Sequence, residues 1–154
     1  MSTKLKILGI IQARVGSTRF PGKVIKKYKG VTYLEILIKR LKRTKNIKKI
    51  IVATSKNSED DQIKKICDDL KVFCFRGSNH DVIDRYFKAS KIFKTKNILR
   101  ITGDCPLIDP EIVDQVIYNY FLRKASYATN TMPATFPDGL DVEVFSFEAL
   151  KTAW

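Results

Sequence analysis

One histidine, one tryptophan and three cysteines in 154 residues leave several chemistries without material. A Ser-His-Asp triad could draw only on His80, which lies in a polar stretch that reads as a surface loop. A zinc centre of Cys and His ligands has no second histidine and no Cys-x-x-Cys pair. Cys67, Cys74 and Cys105 are odd in number and each sits in or beside an apolar segment, the pattern of free thiols in a reducing compartment. No apolar run approaches the roughly 20 residues of a membrane span. The N-terminus MSTKLKILGI has neither the long apolar core nor the cleavage site of a secretory signal, so the expected location is the cytoplasm, with no membrane partner. Internal repeats, heptads and low-complexity tracts are missing as well.

Acid is scarce in one region only. Residues 1–56 hold 16 Lys or Arg against the single acid Glu35, whereas residues 57–154 hold 13 against 15. The net charge of +13 is therefore concentrated in the first third, which raises phosphorylated ligands, nucleic acid and anionic surfaces as partners. No nucleic-acid-binding motif and no aromatic stripe accompany the basic residues, so nucleic acid ranks low among these.

Apolar segments rich in β-branched residues alternate with helical periodicity. KILGIIQ (6–12), KIIVAT (49–54), VFCF (72–75), NILRIT (97–102) and LDVEVFS (140–146) read as strands. Helices are expected over 32–45, opened by the capping pair Thr32 and Glu35, then from Ser58 to Leu70, from Asp81 to Phe93, and after the cap Asp109-Pro110-Glu111. This alternation predicts an α/β fold in three layers, α/β/α, around a mostly parallel sheet. Ligands of such folds bind at the carboxyl ends of the strands.

The first of those ends runs into GSTRFPGK. It is not a Walker loop: five residues separate Gly16 from Gly22, Pro21 occupies an amide position, and Val24 stands where a Ser or Thr would hold a metal. The G-x-G-x-x-G fingerprint of dinucleotide sites is absent too. What remains is a glycine that lets backbone amides approach an anion, the hydroxyls of Ser17 and Thr18, and three cations, Arg14, Arg19 and Lys23. Asp104, in RITGDCPLIDP, follows a buried-looking strand and projects at the same sheet edge. A carboxylate facing a polyphosphate needs a cation between them, and Mg²⁺ is the natural candidate. In FRGSNHDVIDRY, Arg76 and Gly77 could read a base or sugar, while Asp84 and Arg85 could do so or pair with their neighbours. In PDGLDVEVFS, Asp138 makes a turn with Gly139, and Asp141 and Glu143, two apart, share a strand face that is either a hydroxyl or metal site or simply exposed.

Taken in order, QARVGSTRFPGK, RGSNHDVIDRY, TGDCPLIDP and PDGLDVEVFS resemble the cytidylyltransferases that activate acidic sugars with CTP, the 3-deoxy-manno-octulosonate and acylneuraminate enzymes, and above all the branch named for spore coat polysaccharide biosynthesis. The four segments extend over nearly the whole chain. The resemblance implies a Rossmann-like nucleotidyltransferase domain of the glycosyltransferase-A type, CTP and an acidic sugar as partners, Mg²⁺ as cofactor, and a homodimer. It implies that Ala13, Arg14, Gly16, Ser17, Arg19 and Lys23 surround the nucleotide phosphates and that Asp104 holds the metal. It puts Arg76 and Gly77 near cytosine, Asp84 and Arg85 near the nucleotide or sugar, and Asp138, Asp141 and Glu143 against the sugar. Arg14, Lys23 and Asp104 are then the catalytic candidates. Members of that family usually continue past the position matching Trp154, with a second acidic metal ligand and a dimer arm, so the expectation is one domain over 1–154, incomplete at its C-terminus.

Overall fold

The computed structural model describes residues 7–17 and 20–154. Six strands form the central sheet: β1 (Ile7–Gln12), β4 (Ile47–Ser55), β5 (Phe73–Gly77), β6 (Asn97–Thr102), β7 (Tyr127–Thr129) and β8 (Glu143–Ser146), in the order β5-β4-β1-β6-β8-β7. The first four are parallel; β8 runs antiparallel to β6, and β7 antiparallel to β8. Two short strands, β2 (Lys27–Tyr28) and β3 (Val31–Thr32), form a separate hairpin. The mostly parallel α/β sheet foreseen from the alternation is present.

Alternating side chains of β1 supply both faces, as a doubly covered strand requires. Ile7 and Ile11 pack with α1 (Tyr33–Leu41), α2 (Asp61–Asp69) and α4 (Pro110–Leu122), whereas Leu8 and Ile10 pack with α3 (Val82–Ile92) and α5 (Phe147–Ala153). Three layers result. The Thr32 hydroxyl caps α1 by accepting from the Glu35 amide at 3.2 Å, and Asp109 caps α4 from the Glu111 amide at 2.8 Å.

Two elements are shorter than expected for identifiable reasons. Helix α1 stops at Leu41 and not near Lys45, because Asp114 of α4 accepts the amides of Lys45 at 2.9 Å and Asn46 at 3.1 Å and draws that segment out of the helix. Strand β8 begins only at Glu143, because Asn130 clamps the segment before it: its amide group donates to the Leu140 carbonyl and accepts from the Val142 amide, both at 2.8 Å. Strand β5 errs the other way. It reaches Gly77, in register with Ser55, two residues past the expected end.

Candidate functional site

A cleft of about 940 Å³ opens at the carboxyl edge of the parallel strands. Ser17, Phe20 and Lys23 line it from the loop after β1, Thr102 and Asp104 from the end of β6, and Asp138 and Asp141 from the approach to β8. The two first loops meet because Gly103 has no side chain. Its amide donates to the Gln12 carbonyl at 2.7 Å, and a Cβ there would lie 2.8 Å from that oxygen and 3.0 Å from the Ala13 side chain. Asp104 is thereby set beside Lys23, whose ammonium donates to its carboxylate at 3.5 Å. Burial works to raise the Asp104 carboxyl, but the Thr102 hydroxyl and the Lys23 charge outweigh it and hold the group below the usual range.

The loop after β1 is organised around the Val15 peptide. Its carbonyl accepts the amides of Ser17 at 2.8 Å and Gly22 at 2.9 Å, and its own amide donates to Asp60 at 2.7 Å. Gly22, at φ +70°, makes the left-handed turn that places Lys23 at the start of a short 3-10 segment, a conformation that favours glycine. Arg14 is exposed and among the described residues reaches only the Asn79 carbonyl, at 3.5 Å. Ala13 is buried and its amide is bound to the Ala53 carbonyl at 3.2 Å, so it packs the loop and offers no free amide to a phosphate. Arg19, with Thr18, lies outside the described residues.

At the end of β5 the structure revises the sequence reading. Arg76 turns back over the β4–α2 connection, donating to the carbonyls of Ser55 at 2.9 Å and Asn57 at 2.7 Å and pairing with Asp61. Its guanidinium is committed to the scaffold and not to a base. Asp84 pairs with Lys88 at 2.9 Å and accepts from the Trp154 indole at 3.1 Å, the neighbour-pairing alternative, and it does not line the cleft. Arg85 is fully buried; one terminal nitrogen donates to the carbonyls of Ser78 and Asn79, at 2.6 and 3.2 Å, while Nε and the other nitrogen have no partner among the described residues. Gly77 makes room for it, since a Cβ there would sit 2.9 Å from the Arg85 stem. Arg14 and Arg85 thus converge on one carbonyl, that of Asn79.

The three acids of PDGLDVEVFS also separate. Asp138 and Asp141 line the cleft. Asp141 precedes β8, and its carboxyl is pushed up by burial first and then by the negative charge of Asp138, Asp104 and Glu143. Glu143 lines a neighbouring groove of about 490 Å³, where it is paired with Arg100 and accepts from the Tyr127 hydroxyl at 3.2 Å. Arg100 also reaches the Gln12 side chain at 3.3 Å.

Among the described residues no three His, Cys, Asp or Glu side chains cluster as a protein-only metal site. The donor set nevertheless suits Mg²⁺, which commonly takes one or two carboxylates and completes its shell with water and phosphate oxygens. Asp104 is ionised and half-exposed in the cleft, whose lining also includes Asp138 and Asp141.

Sequence reasoning missed Asp60 and Arg100. Asp60 reads as an acid in the first turn of a helix; Arg100 is a lone charge in an apolar strand, which of itself signals a polar partner on one sheet face.

The sequence matches the family described as cytidylyltransferase over residues 8–154. The chain belongs to the cytidylyltransferase family. It is 45% identical over 150 residues to the uncharacterized protein MJ1063 of Methanocaldococcus jannaschii, covering 97% of this chain and 60% of that protein. It is 38% identical over 125 residues to the spore coat polysaccharide biosynthesis protein SpsF of Bacillus subtilis, with coverages of 79% and 52%. The 3-deoxy-manno-octulosonate cytidylyltransferase of Bdellovibrio bacteriovorus is 32% identical over 114 residues, with coverages of 73% and 44%. A solved cytidylyltransferase from Leptospira borgpetersenii superposes with a TM-score of 0.91 at 36% identity, over 95% of this chain and 62% of that one. The chain thus spans about half the length of the curated relatives it matches. No helix among the described residues is long and apolar enough to cross a membrane.

Proposed function

We propose that this chain binds CTP in the cleft beside Asp104 and transfers its CMP group to an acidic sugar, of the 2-keto-3-deoxy or nonulosonic type, for polysaccharide biosynthesis. The observation that carries the reading is the meeting of Lys23 and Asp104, at 3.5 Å, across two loops 81 residues apart, in a cleft walled by Ser17 and by Asp138 and Asp141. Family membership and the polysaccharide relatives support it.

In this reading the loop from Arg14 to Lys23 receives the triphosphate, with Arg14 and Lys23 neutralising charge on its oxygens. Arg76 is held by the scaffold, and Arg85, fully buried beneath the Asn79 carbonyl, acts on the nucleotide only by supporting the Ser78–Asn79 segment. Asp138 and Asp141 accept hydrogen bonds from the hydroxyls of the acceptor. One sugar hydroxyl attacks the α-phosphorus in line and gives up its proton to solvent, the bond to the bridging oxygen of the β-phosphate breaks, and pyrophosphate departs. Such a transfer asks the protein for positioning and charge compensation, with no covalent nucleophile. Asp104 would hold Mg²⁺, which when bound supplies further neutralisation of the phosphates.

Pyrophosphate release with CTP, Mg²⁺ and a panel of ulosonic acids is the direct test, joined to calorimetry with all four nucleoside triphosphates. CTP should bind more tightly than ATP, and that preference should persist at moderate salt. Absence of any thermal shift at millimolar CTP would remove even the binding claim.

A further inference from the structure

Asp60 is fully buried, and among the described residues no lysine or arginine forms a salt bridge with it. A buried carboxylate is costly unless hydrogen bonds satisfy it. Here three donors do so. One oxygen accepts the Val15 amide at 2.7 Å, and the other accepts the Ser55 amide at 3.2 Å and the Ser55 hydroxyl at 2.5 Å. The Ser55 hydroxyl in turn accepts the Asn57 amide at 3.1 Å, so the carboxylate closes the turn between β4 and α2 on one side and grips the loop after β1 on the other.

The gripped residue is the hub of that loop. With its amide on Asp60 and its carbonyl holding both Ser17 and Gly22, Val15 ties the two described ends of that loop together. We propose that Asp60 is a positioning residue that preshapes the cationic loop for the β- and γ-phosphates of a nucleoside triphosphate; the proposal rests on the nucleotide-binding reading above. A carboxylate is needed because both oxygens face donors. Asparagine would turn an NH₂ group toward the Val15 or the Ser55 amide and leave it unsatisfied.

The test measures the dissociation constants of CTP and CMP, each with Mg²⁺, by calorimetry on wild type, Asp60→Asn and Ser55→Ala, alongside thermal unfolding. Asp60→Asn should weaken CTP about tenfold or more, the loss of one hydrogen bond to a charged group, with a smaller change for CMP, which lacks the outer phosphates. Ser55→Ala, which keeps the Val15 contact, should lower stability while leaving the CTP-to-CMP affinity ratio in place. Equal weakening of both nucleotides by Asp60→Asn, or unchanged binding in a folded variant, overturns the proposal. Amide exchange in the wild-type protein without nucleotide decides the case even if Asp60→Asn does not fold: the Val15 amide should be protected, and free exchange there overturns the anchor. A wild type that binds no CTP while its Val15 is protected refutes the nucleotide reading and leaves the anchor standing.

Discussion

The cleft beside Asp104 and the groove beside Arg100 adjoin at the start of β8, and both contain acids, but they dispose of charge differently. In the groove, Glu143 is joined to Arg100, Arg100 to Gln12, and Tyr127 to Glu143, so the charge is settled internally and the rest of the lining includes Val82, Tyr86, Phe145 and Leu150. In the cleft, Asp104 meets one distant ammonium among the described residues, and Asp138 and Asp141 line the same cavity. A half-buried pair already satisfied gains little from a ligand; crowded carboxylates with spare acceptor capacity gain a great deal from a cation or from hydroxyl donors. Counting acids in the sequence could not separate the two, because Asp141 and Glu143 are only two residues apart.

If the cleft is where chemistry occurs, Asp104→Ala should have the largest effect. Removing a preorganised charge at a phosphoryl-transfer site costs about 10²–10³ in rate, and pyrophosphate release should fall by at least that much while the fold persists, because Asp104 is half-exposed. Retained turnover would transfer the active role to another part of the molecule.

Next in size is Gly103→Ala. Its Cβ would meet the Gln12 carbonyl at 2.8 Å, a backbone atom in the middle of the sheet that cannot rotate away. The segment carrying Asp104 must shift, at a cost of about 1–3 kcal/mol typical of overpacking. Both melting temperature and turnover should drop. A fall in stability alone would show that the approach of Asp104 to Lys23 does not matter for turnover.

Much of this arrangement was legible beforehand. The strand-end rule brought the loop after β1 and Asp104 to one edge, and the caps at Thr32 and Asp109 were readable from residue type and spacing. Direction was not legible. Whether Arg76 faced a ligand or the scaffold depended on β5 running on to Gly77 and on carbonyls of Ser55 and Asn57 that only the folded β4–α2 turn presents. Asp60 was concealed by the ordinary use of acids at helix starts, and the pairing of Arg100 required the register with β8, where it stands opposite Glu143.

The groove should respond to mutation in stability and scarcely in nucleotide binding. Glu143→Gln leaves the partly buried Arg100 without its countercharge, which should destabilise by about 1–3 kcal/mol, a figure at the low end because both side chains keep some exposure. CTP affinity should change less than about threefold, under 1 kcal/mol by the same arithmetic. Abolished CTP binding with an unchanged melting temperature would merge the two concavities into one site.

The smallest effect is also the most diagnostic of the cleft, because two of its acids should respond to pH with opposite signs. Asp104 is held below its ordinary value, so its ionised form stabilises the folded chain; that contribution is present above the unfolded value and is lost as pH falls through the lower folded one. Asp141 is raised, by burial first and then by Asp138, Asp104 and Glu143, so its ionised form opposes folding at neutral pH, and that penalty disappears as pH falls through the folded value. Asp141→Asn should therefore be slightly more stable than wild type at pH 7, with the advantage closing below about pH 4, where the carboxyl is protonated in both states. Asp104→Asn should show no such gain at pH 7. Thermal unfolding across pH 3–7 resolves the two curves, and parallel behaviour of the two variants would mean that the carboxylates of the cleft do not crowd one another.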